Sequence, residues 1–184
     1  MTDSTRTRLE QLYWRPGFLL RRAHQLSVGI FEDECSTPGL TPAQFSALTV
    51  LGCAEGIDQS TLARALGFDR VTTLHLLRGL QQRGLVQRAQ AAHHARRLSL
   101  SLTERGREMR QESADPAQRA MRRQLAPLTR AEQDQLLALL RKLCSGLDGQ
   151  ARTPLVPPPH VPGRNGATPA TSGASATPLG GTLT

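Results

Sequence analysis

The stretch DQSTLARALGFDRVTTLHLLRGLQQRGLVQR, residues Asp58–Arg88, contains two short amphipathic segments joined by a glycine and followed by an alternating run. Asp58 and Asp69 stand where a helix N-cap needs a side-chain acceptor, and Gly67 and Gly84 stand where a helix ends. The sequence therefore predicts two helices separated by a tight turn. Their predicted limits are Gln59–Leu66 and Arg70–Arg83.

A third helix is predicted immediately upstream. Thr41 is a capping residue, Pro42 suits the first helical position, and Gln44 completes a capping box. We expect this helix to stop near Gly56. Its apolar residues are Phe45, Leu48, Val50 and Leu51.

After Gly84 the apolar period changes from that of a helix to that of a strand. Leu85–Arg88 and Leu98–Leu102 alternate as half-buried strands do, and Ala89–Arg97 between them is predicted to be a polar loop. Three helices followed by a hairpin predict a winged helix-turn-helix. The expected fold class is mainly α with a small β-hairpin wing and a helical dimerisation region.

Further helices flank this unit. Apolar residues recur at three- and four-residue steps over Pro16–Glu34, and Thr103 is a capping residue before a long helix from Glu104 towards Leu125, which we expect to bend at Asp115-Pro116. Another capping box opens a last helix, whose leucine face is too apolar to lie in water, so we expect it to form part of a subunit interface. The capping box is Thr129–Glu132, and the leucines are Leu136, Leu137, Leu139, Leu140 and Leu143.

Composition narrows the class of protein. The chain of 184 residues has a formal net charge of +8, and Lys142 is its only lysine. Arginine suits phosphate and guanine recognition, although a GC-rich genome produces the same bias. The segment from Gly149 to Thr184 is rich in Pro, Gly, Ala, Ser and Thr, so we expect a disordered tail.

The sequence disfavours several classes of protein and of binding site. Three cysteines without a CxxC pair argue against a disulfide scaffold and a structural zinc site, and each is expected to be a small buried residue. Residues Met1–Gln11 are polar and no apolar stretch approaches about 20 residues, which indicates a cytoplasmic protein with no secretory signal and no membrane contact. No nucleophile elbow, phosphate loop or metal-ligand cluster is present, so we expect neither an enzyme nor a cofactor or metal site; His93 and His94 are interpreted as loop residues.

The second helix of a helix-turn-helix enters the major groove of double-stranded DNA with its N-terminal residues at the base edges. Arg70 and Thr72 are therefore the first candidates for base contacts. The start of the preceding helix suits a phosphate, and the hairpin arginines suit the minor groove or the adjacent backbone. The candidate DNA-binding residues are Gln59, Ser60, Thr61, Arg70, Thr72, Thr73, His75, Arg78, Arg88, Arg96 and Arg97.

The stretch Leu40–Gly106 resembles the MarR family of bacterial regulators. Its most specific pieces are LARALGFDRVTTLHLLRGLQQRGLV, the closing LSLTERG and the later LTRAEQDQLLALLRKL, and the likeness extends over about residues 15–147. The resemblance implies a homodimer whose terminal helices interlock, with two winged domains about 34–36 Å apart on a pseudo-palindrome. One departure is in the wing, where the family usually has an Asp-Arg pair and this chain has His94 and Ala95, followed by Arg96 and Arg97.

The resemblance also implies a repressor released from DNA by a small molecule. Helix Pro16–Glu34 is similar to that of members that control aromatic-acid breakdown, so we expect a small aromatic acid of the hydroxycinnamate, CoA-thioester or nicotinate type. The candidate ligand-binding residues, in a pocket between the dimerisation helices and the winged domain, are Phe18, Arg22, His24 and Phe45. Each of these residues also has a purely structural interpretation. Phe18 and Phe45 would then be core residues, and Arg22 and His24 would be surface or interface groups.

The sequence thus predicts four regions. Residues 1–36 form an arm and a dimerisation helix, 37–106 the winged DNA-binding domain, 107–148 the C-terminal dimerisation helices, and 149–184 the tail. Two other functions stay open: a redox-sensing regulator that acts through Cys35 or Cys53, and a winged-helix module that binds protein.

Overall fold

The computed structural model describes residues 3–91 and 94–159, and the side chains of residues 3–6, 8 and 90–97 lie outside that description. The chain folds into helices around one two-stranded antiparallel sheet. In chain order the elements are α1 (Asp3–Tyr13), α2 (Pro16–Glu34), α3 (Pro42–Cys53), α4 (Gln59–Leu66), α5 (Arg70–Gln82), β1 (Val86–Ala91), β2 (His94–Leu102), α6 (Glu104–Glu112), α7 (Ala114–Leu125), α8 (Arg130–Leu147) and a 3-10 turn, Asp148–Gln150.

The core lies between α3, α4, α5 and the base of the hairpin. Its largest side chains are leucines with at most 2% of their surface exposed, and their burial is the main source of stability for the winged unit. They are Leu40, Leu48, Leu51, Leu62, Leu77, Leu80, Leu85, Leu100 and Leu102.

The predicted caps are confirmed. Five of the described helices begin at a residue whose side chain accepts a hydrogen bond from a backbone amide of the first turn. Two of these caps are complete capping boxes, at Thr41 and Thr129. Gly67 ends α4 with a φ of 66°, a conformation that favours glycine. The capped helices are α3, α4, α5, α6 and α8.

Two elements differ from the sequence-based expectation. Residues Asp3–Tyr13, interpreted only as a polar arm, form α1. The long helix predicted from Glu104 to Leu125 is broken at Ser113, two residues before the expected bend, into α6 and α7. Pro116 lacks an amide hydrogen and its ring crowds the carbonyl four residues earlier, so the distortion falls on the turn before the proline.

Helices α2 and α7 run antiparallel and are joined by polar contacts. Gln124 Nε2 donates to Ser27 Oγ, and Arg119 Nε lies 3.0 Å from Glu34 Oε2. Exposed ion pairs of this kind contribute about 0–1 kcal/mol each. No residue of α2 or α8 is buried, so both helices keep apolar faces exposed in the single chain.

The segment after α8 is not detached from the fold. Leu155 lies against Gly67, and the Val156 amide donates to the Arg64 carbonyl oxygen at 3.0 Å. Composition alone predicts a disordered tail from Gly149, whereas residues up to 159 have defined positions; the part of the predicted tail from residue 160 onwards lies outside the described residues. Within the described ranges, no helix is long and apolar enough to cross a membrane.

The hairpin and α6 meet at a close backbone contact. Thr103 donates through its amide to the Leu85 carbonyl oxygen at 3.1 Å and through its hydroxyl to that of Gly84 at 2.6 Å. A Cβ on Gly106 would overlap the Leu85 carbonyl oxygen. Glycine at this position therefore lets α6 lie directly against the start of the wing.

We expect Gly106→Ala to destabilise the protein by about 1–3 kcal/mol or more, because the added methyl group overpacks a backbone contact. The matched control is Gly79→Ala on α5, where the new Cβ would meet Gln44 Nε2 at an ordinary contact distance of 3.8 Å. The control should be neutral or stabilising by up to about 1 kcal/mol, since alanine is the better helix former. Urea unfolding followed by circular dichroism measures both, and equal stability of the two variants would contradict the packing assignment.

Candidate nucleic-acid interface and effector cavity

The start of α5 is held by Asp69. The Asp69 carboxylate accepts a hydrogen bond from the Thr72 amide at 2.8 Å and another from the Thr72 hydroxyl at 3.0 Å. These bonds, first that from the amide, lower the pKa of Asp69 below its ordinary value of 3.8. The carboxylate therefore stays ionised at neutral pH and fixes the first turn of α5.

One face of α5 is exposed to solvent in the described part of the chain. Leu77 and Leu80 are fully buried on the core side, and the opposite side chains are exposed. This exposed face combines two cations, a hydroxyl, an imidazole and one apolar group, which together suit phosphates and base edges. Its members are Arg70, Val71, Thr72, His75 and Arg78.

Thr73, predicted among the base-contacting residues, is buried instead. None of its surface is exposed, and its hydroxyl donates to the Asp69 carbonyl oxygen at 2.8 Å. Position 73 precedes Leu77 by one helical turn and therefore points to the core. Thr73 supports the helix start and is not available to DNA.

Val71 was not among the candidate contacts, although it is 63% exposed beside Arg70. An apolar side chain on the reading face of such a helix suits the methyl group of thymine. The signal in the sequence was its position one residue after Arg70, but an apolar residue there is equally consistent with core packing. Only the orientation of α5 separates the two interpretations.

The start of α4 lies beside the wing. Ser60 is exposed, whereas the Thr61 amide already donates to Asp58 at 2.8 Å. Arg88 of β1 donates from Nη2 to Gln59 Oε1 at 3.2 Å. Arg88 is half-buried, and its Nε has no hydrogen-bond partner in the described part of the chain. The structure therefore joins Gln59 and Arg88 and leaves Ser60 open.

The wing is longer than the sequence predicted. The sequence predicts a loop over Ala89–Arg97, but β1 extends to Ala91 and β2 begins at His94, with a register shift at Gln90/Ala91. Because β2 includes residues 94–97, the backbones of His94, Arg96 and Arg97 belong to a strand. The side chains of these three residues, and the whole of His93, lie outside the described residues.

A cavity of about 240 Å³ lies where α2, α3 and α7 meet. Its walls combine aromatic and apolar side chains with the polar groups of Ser27, Ser46 and Gln124. Phe45 lines it, and its ring lies 5.6 Å from that of Phe31. The other lining residues are Pro42, Ala117, Ala120 and Met121.

Three of the four predicted ligand contacts lie elsewhere. Phe18 packs on Tyr13 at 5.2 Å between ring centroids and lies under Arg21, and neither Arg22 nor His24 lines the cavity. Phe18 precedes Phe31 by 13 residues on α2, which is about 20 Å along a helix. Within one chain, the structure therefore brings only Phe45 of the four residues to this cavity. A ligand site formed by Phe18, Arg22 and His24 stays a prediction. Ser27, Phe31 and Gln124, which the sequence analysis did not name, line this cavity.

The cysteines divide into two classes. Cys35 is fully buried as predicted, whereas Cys53 and Cys144 are exposed. Burial is the largest influence on Cys35 and raises the pKa of its thiol, with Glu34 adding to the effect and Arg119 opposing it. A raised pKa lowers the thiolate population and disfavours Cys35 as an oxidant sensor. Over the part of the chain that the structure describes, no cluster of His, Cys, Asp and Glu is arranged to hold a metal ion.

We expect Asp69→Asn to be less stable than the wild type above about pH 4, because the neutral amide loses the charged acceptor of Thr72. The folded pKa of Asp69 is lowered, so its contribution is present above the ordinary value of 3.8 and is lost as the pH falls through the folded value. Urea unfolding at a series of pH values measures the difference, which should shrink on acidification. Thr72→Ser keeps both donors and should retain the wild-type pH profile; a difference for Asp69→Asn that does not change with pH would contradict the capping role.

Comparison with known proteins supplies the family. A family model described as "MarR family" matches residues 39–97. The transcriptional repressor MprA of Escherichia coli is 34% identical over 112 residues, which are 60% of this chain, and the chain spans only 64% of the length of that relative. The HTH-type transcriptional repressor NicR of Pseudomonas putida is 30% identical over 127 residues, covering 69% of this chain and 80% of NicR.

Two solved structures show the same architecture. The transcriptional repressor CouR, bound to a 23-mer DNA duplex, superposes with a TM-score of 0.68 at 31% identity, covering 73% of this chain and 95% of CouR. BpsR of Bordetella bronchiseptica, whose DNA binding is regulated by 6-hydroxynicotinic acid, superposes with a TM-score of 0.67 at 28% identity, covering 71% and 94% of the two chains. The family's members are DNA-binding regulators and not enzymes. From its winged core and these relatives, the chain belongs to the MarR family of winged helix-turn-helix transcriptional regulators.

Proposed function

We propose that the chain is a transcriptional repressor that binds a pseudo-palindromic operator as a homodimer and is released by a small aromatic acid. The observation that carries the proposal is the exposed, cationic start of α5, held on a buried leucine core. Arg70 lies on this face, and Asp69 fixes the turn from which it projects. A reading helix needs this combination of a rigid support and a free N-terminal face.

In the proposed complex, α5 enters the major groove. Arg70 suits a guanine edge or the adjacent phosphate, Val71 a thymine methyl group, and Thr72 a base edge or phosphate, with His75 and Arg78 further along the groove wall. Ser60 contacts the backbone at the start of α4. Arg96 and Arg97 of β2 are proposed to reach the minor groove, as the sequence predicts.

The exposed leucines of α8 support a homodimer. Leu139 is 57% exposed, and four other leucines of the same helix are at least 36% exposed. A continuous apolar face of this kind is stabilised by burial against a second copy of the chain. We propose that residues 1–36 and 107–148 form the dimer, while residues 37–106 read DNA. The other four leucines are Leu136, Leu137, Leu143 and Leu147.

The cavity between α2, α3 and α7 is proposed as the effector site. A volume of about 240 Å³ suits a single aromatic ring with small substituents, and Phe31 and Phe45 offer rings to stack on. The Ser27 hydroxyl and the second Gln124 amide hydrogen can donate to a carboxylate. The Ser46 hydroxyl already donates to the Pro42 carbonyl oxygen at 2.8 Å, so its oxygen can accept from a ligand hydroxyl group. The known regulation of BpsR by 6-hydroxynicotinic acid supports this ligand class.

The position of the cavity suggests how release occurs. It lies between α3 of the winged core and the α2–α7 pair assigned to the dimer. A ligand bound there would therefore change the angle between the winged core and the dimerisation helices. A ligand that prefers the splayed arrangement weakens DNA binding by that difference in affinity. A tenfold release requires about 1.4 kcal/mol of coupling.

We expect Arg70→Ala to weaken operator binding by about 1–3 kcal/mol for each half-site, because one arginine contact to a guanine edge or phosphate is lost in each. The operator is obtained by sequencing genomic fragments retained by the purified protein, and affinity is measured by fluorescence anisotropy over a range of salt concentrations. Arg105→Ala, which removes an exposed charge from the first turn of α6, outside the residues assigned to the dimer, is the control and should bind as the wild type does.

A steep loss of affinity with rising salt is expected, since phosphate contacts release counterions. The proposal is contradicted if the protein retains no genomic fragment above background. It is also contradicted if Arg70→Ala and the wild type bind the retained fragment with equal affinity. The alternative winged-helix module that binds protein predicts the first of these outcomes.

We expect Ala117→Leu to abolish release by 6-hydroxynicotinic or salicylic acid while leaving operator binding intact, because the larger side chain fills the cavity from α7. Ala114→Leu, on the exposed first turn of the same helix, is the matched control and should respond as the wild type does. The measurement is anisotropy of the protein–operator complex during titration with each acid. If about millimolar acid does not release the wild-type protein from the operator, this class of ligand is excluded. If Ala117→Leu is released as readily as the wild type, the cavity is excluded as the effector site.

A further inference from the structure

The chain that follows α8 returns to the helix-turn-helix. We refer to Ala151–Pro159 as the C-terminal strap. Its Val156 amide donates to the Arg64 carbonyl oxygen at 3.0 Å, and the side chain of Leu155 lies against Gly67, which ends α4. The Leu155 amide in turn donates to Asp148 Oδ1 at 3.0 Å. The strap is therefore held both to the end of α8 and to the turn between α4 and α5.

The strap meets the winged core on the side that reads DNA. Thr153 lines a cavity of about 450 Å³ together with Ser60 at the start of α4 and Arg70 at the start of α5. Arg152 is exposed and directly precedes Thr153, which lines that cavity. After the Thr72 hydrogen bonds, its positive charge is the smallest of the influences that lower the pKa of Asp69. A guanidinium beside the N-cap of α5 adds positive charge where the helix amides already favour an anion.

The charge of the segment distinguishes two roles. A segment that blocks a DNA-binding face by imitating DNA needs negative charge, but residues 149–184 contain no aspartate or glutamate and carry Arg152 and Arg164. A strap with a positive charge on this face is attracted to the same phosphates as the helices beside it. The charge therefore favours participation in DNA binding over competition with it.

We propose that the C-terminal strap is part of the DNA interface and that Arg152 binds a phosphate flanking the bases read by α5. The proposal rests on the proposed function, since it assumes that the chain binds DNA through α5. It assigns a role in sequence-independent affinity to a segment outside the winged helix-turn-helix. Anchoring by Arg64 and Gly67 orients the strap beforehand, so less conformational entropy is lost when DNA binds.

The test uses the full chain, the operator fragment retained by the wild type, and a random-sequence duplex of the same length. Arg152→Ala removes the charge. Val156→Pro removes the amide hydrogen that anchors the strap and leaves the charge in place, and its matched control, Val156→Ala, keeps that hydrogen. Urea unfolding and sedimentation establish that each variant is folded and has the wild-type oligomeric state.

We expect Arg152→Ala to bind both duplexes more weakly, by up to about eightfold per contact at 0.1 M salt, with the salt slope reduced by about 1 for each strap on the DNA. Val156→Pro should show a loss in the same direction, and Val156→Ala should match the wild type. An equal loss on the operator and the random duplex indicates a phosphate contact. A loss confined to the operator would overturn that assignment.

Wild-type affinity of both Arg152→Ala and Val156→Pro would overturn the proposal, and tighter binding by either would show that the strap shields the DNA face. Neither result contradicts the proposed function, because both are measured on a wild-type protein that binds DNA and whose binding is weakened by Arg70→Ala. Failure of the wild type to bind any duplex would instead overturn the proposed function itself.

Discussion

The burial of Leu77 and Leu80 determines the rest of the site. Both side chains are fully enclosed by the leucine core, so the rotation of α5 about its axis is fixed, and with it the identity of the exposed face. A rotation of one position would bury Val71 or expose Thr73, and either change would cost apolar burial or leave a hydroxyl without its partner. The same packing that stabilises the winged core thus selects the residues available to DNA.

The helices outside the winged core are held by weaker interactions. α2 meets α7 through a hydrogen bond and exposed ion pairs, and no residue of α2 or α8 is buried in the single chain. Their apolar faces therefore stay partly exposed to water, and burying them is the energetic reason to expect a second copy of the chain. The cavity lined by Phe31 and Phe45, proposed as the effector site, lies where this weaker layer meets the core.

Local signals predicted the winged core closely, because each helix start depends on side chains within three residues of it. Asp58, Asp69 and Thr103 cap the helices that the sequence assigned to them. Signals that act through distant residues were less successful. The wing extends beyond its apolar alternation because cross-strand pairing carries polar residues into the ladder, and the break at Ser113 precedes the proline that causes it.

The sequence by itself determined the helices and hairpin of the winged core, the positive charge of the reading segment and the family, since capping, periodicity and motif spacing are properties of neighbouring residues. Only the tertiary structure decided that Thr73 faces the core, that Phe45 is joined by Phe31 and Gln124 and not by Phe18, and that the strap returns to Arg64 and Gly67. These facts depend on how elements far apart in the chain pack together. Such packing is set by the shape and burial of the whole core, which no local pattern encodes.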